Sequence, residues 1–462
     1  MARAWLSSVR AANLSAIETV MALSKTFRFG IVTAILLASV AVSRAQDPCE
    51  SLDRRALVFS GGGIKGAFEA GAAYHLIVHR GCDFHDFSGI SVGAINAAIL
   101  AQALSSNHRE TSHAALVVQA ESLVNIWASL KSSRDIVKPR KLAGLRFAMF
   151  GTENFNDFSP LRRLLAANIS INKLAAGRPL RIGLTCFWDG TYQEVAAARG
   201  DFSVPKSRFL DYLYASSVLP VMGRMPRFAS RDQKPDTHRV AQFGDASLRH
   251  VIPVASYFVV CSGSECSRAK PAHEPLQQLF VIATSPYVRG SDLLPVPHSN
   301  YGRADTELIT DGRKIMRRAI ALMADTPFRT DLDSMLLANQ WLAWREHSDS
   351  ESALRARTES SSSATFAIAT AFPLESYNRE GLDSYAHSRP YRIGMVKPKE
   401  ETADLADLLS FSPQMIHAQL LAGCLAANET MQSEFGLASL STACADRFGN
   451  SRIQIAAIVR PR

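Results

Sequence analysis

Two glycine-rich turns, GGGIKG at 61–66 and GISVG at 89–93, carry the residue types of an acyl-transfer site. Ser91 stands at the centre of the second turn, where Gly89 and Gly93 permit the sharp bend that exposes a nucleophile. The first turn offers a row of backbone N–H groups at the start of a helix. Such groups stabilise the oxyanion that forms when a serine attacks a carbonyl. Together the turns predict a serine acyl-transfer site.

The first turn also fits two nucleotide-binding patterns, and the residues around it disfavour both. A GxGxxG turn between a strand and a helix is typical of dinucleotide-binding folds. The acids at the expected distance, Asp83 and Asp86, precede the next strand instead of ending it. A P-loop would require Lys and Ser/Thr where Ala67 and Phe68 stand. We therefore expect no nucleotide cofactor, and the mild charge of the chain gives no reason to expect nucleic acid.

The segments that carry the turns alternate between strand and helix. Residues 54–60 read as a buried strand, 67–78 as a helix, 87–91 as a short strand and 94–103 as a second helix. This order predicts an α/β fold with a parallel sheet covered by helices. Further strands are predicted at 180–195 (two, around a turn), 240–243, 279–284 and 391–396, and further helices at 114–131, 161–167, 209–218, 306–345 and 413–427.

The order of these motifs resembles the patatin-like phospholipases, whose pattern is GGGx(K/R)G, then GxSxG, then a downstream Asp-Gly. The resemblance extends to DFSPL at 157–161 and to ASSVLP at 215–220, and it reappears at 393–398 and 411–413. It implies a three-layer fold in which helices cover both faces of a mostly parallel central sheet.

The same resemblance divides the chain into segments. It implies a catalytic core over 54–290, completed by a strand and helix at 390–430. Residues 291–389 are then a helical insertion of unknown role, and residues 431–462 a C-terminal tail.

The resemblance also implies a Ser–Asp dyad, in which Ser91 is the nucleophile and Asp245 is the base. The oxyanion hole would be formed by the first turn, through Gly61, Gly62, Gly63, Lys65 and Gly66. Lys65 could also meet a lipid phosphate, but a structural role is favoured because lysine stems often fold over apolar surface. His238 and His250 flank the Asp245 segment and would be the candidates for a triad, which a dyad does not need.

The chain departs from the family pattern at the base. Asp245 is followed by Ala246, and alanine is tolerable there unless the position needs a positive φ. A literal Asp-Gly occurs at Asp189 and Gly190, between two strand-like runs, where it reads as a hairpin turn. We favour Asp245, which ends a strand. The expected function is hydrolysis of phospholipid or lysophospholipid esters, and the alternative is a lipid-binding protein that has lost its base.

The N-terminus has the layout of a secretory signal peptide. Lys25 and Arg28 precede an uncharged stretch at 29–42, and small residues then flank Arg44 at the end of a leader over 1–45. The alternative is an uncleaved anchor, but the apolar run is short for a membrane span. We expect export. The net charge of +9 falls without the leader to 46 basic against 41 acidic residues, which is compatible with an anionic lipid surface.

All seven cysteines follow the leader, as expected for disulfides in an oxidising compartment. Cys261 could pair with Cys266, and Cys424 with Cys444. No Cys/His spacing along the chain is typical of zinc, so we expect no metal site. The basic and apolar stretch at 138–150 could lie on a membrane surface or form a partly buried loop.

Overall fold

The computed structural model describes residues 47–51, 53–105, 109–141, 155–187, 190–198, 200–220, 222–229, 240–254, 257, 276–287, 330–344, 390–399, 402 and 409–449. Several sequence predictions lie outside these residues: the leader over 1–45, Asp189, His238, the pair Cys261 and Cys266, and most of the stretch at 138–150.

The described strands form a nine-stranded sheet and a small two-stranded ribbon. The strands are β1 (Arg55–Phe59), β2 (Asp86–Ile90), β3 (Lys138–Pro139), β4 (Asn156–Asp157), β5 (Leu180–Cys186), β6 (Tyr192–Ala198), β7 (Asp201–Phe202), β8 (Arg227–Ala229), β9 (Val240–Asp245), β10 (Gln278–Ile282) and β11 (Arg392–Val396). The order β11-β10-β1-β2-β5 is parallel throughout. Strands β6 and β9 then both pair with β5 in antiparallel fashion.

The helices follow the strand–turn–helix order that the sequence predicts. They are α1 (Gly66–Tyr74), α2 (Val92–Ala101), α3 (Arg109–Ser129), α4 (Ser159–Asn168), α5 (Ile171–Ala176), α6 (Phe209–Ser216), α7 (330–344), α8 (Pro413–Ser433) and α9 (Ser441–Phe448). A 3₁₀ turn (Gly63–Lys65) precedes α1, and a π-helical turn (His75–His79) continues it. In the described part of the chain, no helix is both long and apolar enough to cross a membrane.

Alternating side chains of β1 separate two cores on opposite faces of the sheet. Leu57 and Phe59 pack into a large core with α1, α2, α3 and α8. Ala56 and Val58 pack into a second core, where α7 supplies Leu332, Met335 and Leu342. This period of two is the one expected for a strand buried on both faces. The α/β prediction of a mostly parallel sheet with helices on both faces is confirmed.

Two predicted segments contribute more to the core than expected. Helix α7 lies within the segment predicted as an insertion, yet its side chains build the second core. The predicted tail begins inside α8 and contains α9, whose Cys444 and Phe448 are buried. The burial of α9 could not be predicted, because the sequence shows the apolar face of this helix without showing the surface that covers it.

Two disulfides tie these elements together. The predicted pair Cys424–Cys444 is present and joins α8 to α9. A second bridge, Cys49–Cys82, links the segment before β1 to the segment before β2. The sequence did not indicate this second pairing, because connectivity depends on which loops the fold brings together.

Helices α1 and α8 cross at two glycines. A Cβ on Gly71 would overlap the carbonyl of Leu420, and a Cβ on Gly423 would overlap the carbonyl of Phe68. The helix backbones are therefore in direct contact, and the crossing tolerates no side chain at either position.

We expect Gly423→Ala to lower the free energy of unfolding by about 2–3 kcal/mol, because the added methyl group must push the helices apart. In an ordinary helix interior the same change would stabilise by about 0.5–1 kcal/mol. Urea unfolding followed by circular dichroism measures the difference, with Gln414→Ala at the exposed start of α8 as the control. A stabilised Gly423→Ala protein would contradict the crossing.

Candidate active site

Ser91 occupies a strained turn between β2 and α2. Its backbone has φ 56° and ψ −128°, and it is the one non-glycine residue with positive φ among those the structure describes. A Cβ on Gly89 would overlap the carbonyl of Gly93, and a Cβ on Gly93 would overlap the carbonyl of Ser60. Both glycines are therefore required by close backbone packing. Strain of this kind is typical of a nucleophile elbow.

Two serines at the end of α6 hold the backbone of Ser91. The Ser91 N–H donates to Ser216 Oγ at 3.1 Å, and Ser216 Oγ donates to the carbonyl of Gly183 in β5 at 2.7 Å. Ser217 Oγ donates to the Ser91 carbonyl at 3.1 Å. The ASS motif at 215–217 thus fixes the elbow from the opposite side, which the sequence did not reveal.

Asp245 lies beside Ser91 at the end of β9. It pairs with Leu184 of β5 and is only 2% exposed. The Ser91 side chain interacts with its carboxylate, and Ser247 N–H donates to Oδ1 at 2.9 Å. Burial raises the pKa of Asp245, and the interactions with Ser91 and Ser247 oppose that rise. A carboxylate with a raised pKa is a better proton acceptor than an exposed aspartate.

The alanine that follows Asp245 adopts an ordinary backbone conformation. Ala246 begins a 3₁₀ turn (Ala246–Leu248) and is fully buried. It is not among the described residues with positive φ. The glycine of the family pattern is thus not needed for the backbone here, and Asp245 keeps its position without it.

The first glycine turn lies against the elbow. Gly62 and Gly63 have φ of 149° and 56°, which favour glycine. A Cβ on Gly61 would stand 3.1 Å from the Ser91 Cβ. Gly63 then begins the 3₁₀ turn, and the first N–H groups of a helix have no partner within it. The turn that carries the amide groups predicted as oxyanion donors therefore lies next to the serine.

Thr284 holds this turn in place from the end of β10. Its Oγ1 donates to the Gly61 carbonyl at 2.7 Å, and its N–H donates to Ser60 Oγ at 3.1 Å. Lys65 is 7% exposed and donates from Nζ to Ser285 Oγ at 3.2 Å. The lysine is thus folded into the structure beside the turn, in agreement with the structural role that was favoured for it.

A buried polar network joins the helices that follow the two turns. Asn96 Nδ2 of α2 donates to Glu69 Oε2 and to the Gly66 carbonyl of α1, both at 2.9 Å. Trp127 Nε1 of α3 donates to Asn96 Oδ1 at 3.0 Å. Burial raises the pKa of Glu69 well above its usual value. The network sets the spacing between the amide row and the serine, and no spacing rule in the sequence predicted it.

A comparison with known protein families gives a match over the part of the chain that carries Ser91 and Asp245. Residues 57–256 match the family model of patatin-like phospholipase. These residues form a patatin-like phospholipase domain. The match supports lipid acyl hydrolysis at the level of the family.

Solved structures give two further likenesses. The chain is similar to VipD from Legionella pneumophila at 12% identity, covering 83% of this chain and 67% of that chain with a TM-score of 0.32. It is also similar to the heterodimeric ExoU–SpcU complex from the type III secretion system of Pseudomonas aeruginosa, at 16% identity, 85% and 74% coverage and a TM-score of 0.22. No curated protein sequence matches the chain.

An apolar cleft of the patatin-like domain opens beside Ser91. Its floor includes Gly63, Ser91, Asn96 and Ser217. Its walls come from α2, α3, α4 and the segment before α8, through Val92, Ile95, Ile99, Ile126, Trp127, Leu130, Ile136, Phe158, Leu161, Leu164, Leu409 and Phe411. An apolar cleft that ends at a nucleophile suits an acyl chain.

Of the alternative bases, His250 lies within the described residues and has partners of its own. His250 is in contact with Asp331, at 2.7 Å from Nδ1 to Oδ1, and stacks edge-on against Tyr192. Gly190 has φ 71° and lies in the loop between the antiparallel strands β5 and β6, as the hairpin prediction requires. Asp189 lies outside the described residues, and Asp245 lies beside Ser91.

The structure also contains a Cys/His cluster that spacing along the chain did not indicate. His75 and His79 lie next to Cys424 and Cys444, with their ligand atoms all within 4.8 Å of one another. The expectation of no metal site rested on local spacing. These four residues come from three helical segments, so only the fold brings them together.

Proposed function

We propose that the patatin-like domain hydrolyses ester bonds of phospholipids or lysophospholipids through an acyl-enzyme on Ser91. The observation that carries this proposal is that the Ser91 side chain lies beside the buried carboxylate of Asp245 and lowers its pKa. A serine is a weak nucleophile until a base accepts its proton, and this contact supplies one.

The reaction would proceed in two steps. Asp245 accepts the hydroxyl proton while Ser91 Oγ attacks the acyl carbonyl, and the amides of Gly62 and Gly63 stabilise the oxyanion. Collapse of this intermediate breaks the ester bond, and the departing alcohol takes the proton from Asp245. Water then attacks the acyl-enzyme and gives its proton to Asp245, which passes it to Ser91 Oγ as the fatty acid is released.

A lipid substrate is supported by the surroundings of the serine. The cleft walls are almost entirely apolar. Ile136 lines the cleft, and the exposed basic residues Lys138, Arg140 and Lys141 follow it within a few positions. Basic groups near an acyl cleft attract an anionic lipid surface.

The dyad is tested by Ser91→Ala and Asp245→Asn. Each variant should lower ester hydrolysis by about 10³-fold or more, since one lacks the nucleophile and the other lacks the base. Asp189→Asn, the matched change at the other acid, should retain activity.

In the wild type, kcat/KM should fall at low pH with a pKa above that of an exposed aspartate, because Asp245 must be ionised to accept the proton.

Labelling by a fluorophosphonate distinguishes an enzyme from a lipid-binding protein with an unactivated serine. The wild type should be labelled on Ser91, and Ser91→Ala should not. An unlabelled wild type, or activity that is lost at Asp189 and kept at Asp245, would refute the proposed dyad.

The cleft predicts a preference for long acyl chains that a single substitution can reduce. We expect Leu164→Trp to lower kcat/KM for a sixteen-carbon acyl ester by about 10-fold, because the indole would occupy the acyl path. Activity on a four-carbon ester should change little. Arg163→Trp on the exposed face of the same helix is the matched control. Equal losses on both esters would show that the chain lies elsewhere.

We also propose that the protein is exported. The leader over 1–45 supports this, as do the two disulfides, which are typical of oxidising compartments. Expression of the full chain followed by N-terminal sequencing of the exported protein should give Gln46 as the first residue. Protein that stays in the cytoplasm with its leader intact would contradict export.

A further inference from the structure

Four side chains at the far end of α1 from Ser91 converge on one point. They are His75 and His79 of the π-helical turn, Cys424 of α8 and Cys444 of α9, and we call them the His/Cys cluster. His75 and both cysteines are buried, and His79 is half-buried. The proposed hydrolysis uses none of them.

Four distances within the cluster are close to the edges of a metal tetrahedron, and the two sulfurs, bonded in the disulfide, must separate to form another edge. With Zn–N near 2.0–2.1 Å and Zn–S near 2.3 Å, nitrogens stand about 3.3 Å apart and a nitrogen and a sulfur about 3.6 Å apart. The two Nδ1 atoms are 3.2 Å apart. Cys424 Sγ lies 3.6 Å from His75 Nδ1 and 3.9 Å from His79 Nδ1. Cys444 Sγ lies 3.4 Å from His75 Nδ1.

We propose that the His/Cys cluster binds a zinc ion when Cys424 and Cys444 are reduced, as the alternative to their disulfide. Two histidines four residues apart present ligands on one helical face. Two thiolates balance the charge of Zn²⁺, and neutral imidazoles add none. The complex is therefore neutral, which suits a site whose ligands are mostly buried.

The π-helical turn supplies a second, independent indication. Such turns are rare in proteins, and those that do occur often lie at functional sites. Here the turn covers the segment His75–His79, and it places His75 Nδ1 near both sulfurs and His79 Nδ1 near Cys424 Sγ. A structural disulfide alone gives no reason for two imidazoles to meet there.

The two states of the cluster exclude each other, because a disulfide has no thiolate to offer. A dithiol reductant passes two electrons and two protons to the Cys424–Cys444 bond. It becomes a disulfide itself and leaves two thiols. Zinc then displaces the two thiol protons and takes both sulfurs as ligands. Oxidation in the reverse direction releases the metal.

Arg80 shows what must change when the metal binds. Its Nε donates to His75 Nε2 at 3.3 Å, so the ring proton lies on Nδ1 in the disulfide form. Zinc at Nδ1 moves that proton to Nε2, and the contact from Arg80 must open. The guanidinium keeps its bonds to Asn428 Oδ1 at 3.2 Å and to the Ala438 carbonyl at 2.5 Å. On the histidine side, metal binding therefore breaks one long hydrogen bond.

Cobalt titration of the full chain tests the site without reference to activity. Protein reduced with a phosphine, desalted and freed of metal should bind about one Co²⁺ per chain. It should show thiolate-to-cobalt absorption and the strong visible bands of tetrahedral Co²⁺, both removed by zinc. The same protein with its disulfide intact should show neither. Reduced protein that develops no such bands would overturn the proposal.

Variants identify the ligands. Cys444→Ser and His79→Ala should lose or strongly alter the cobalt spectrum. The double variant Cys49→Ser/Cys82→Ser, which removes the other cysteine pair, should keep it. If the reduced chain loses helical signal without metal, zinc must restore that signal. An unchanged spectrum in Cys444→Ser, or failure of zinc to restore the fold, would refute the site.

Discussion

The site depends on one constraint, that β1 and β2 are neighbouring parallel strands in register. Phe59 pairs with Gly89, so the two strands end together and the turns that follow them must meet at one edge of the sheet. The carboxyl edge of a parallel sheet is where an α/β fold places its ligands. This register is enough to bring the amide groups of one turn close to the serine of the other. What remains is to hold them at the right spacing.

That spacing is maintained by buried polar groups rather than by apolar packing alone. Glu69, Asn96 and Trp127 connect three helices beneath the turns, and Thr284 and Ser216 hold the turns from the neighbouring strands. A buried polar network is favourable only when its members are paired, so each hydrogen bond also excludes alternative arrangements. Burying Glu69 costs free energy, but the hydrogen bonds that it makes help to hold the strained Ser91 turn in a rigid frame.

The sequence was sufficient for the parts of the site that are local. Strand, glycine turn and helix are encoded within each segment, so the fold class and the proximity of GGGIKG and GISVG to each other could be predicted. Ser216, Thr284 and Asn96 could not be, because a serine, a threonine or an asparagine has no pattern that marks it as a partner of a distant backbone group. The partner of Cys49 and the burial of α9 were missed for the same reason. Each depends on contacts between residues far apart in the chain.

Helix α1 connects the two chemically distinct regions of the molecule. Its first turn follows the amide row beside Ser91, and its last turn runs into the His/Cys cluster. Between them, Gly71 and Gly423 bring α1 and α8 into backbone contact, so α1 cannot shift along α8 without steric overlap. A cross-link at Cys424, whether to Cys444 or to a metal, therefore acts on a helix that is already fixed at its midpoint. Its effect should fall on the far turn and on α9, while the amide row beside Ser91 is held by its own contacts with Thr284 and Asn96. Packing of this kind lets one end of a helix change its chemistry while the other end keeps its geometry.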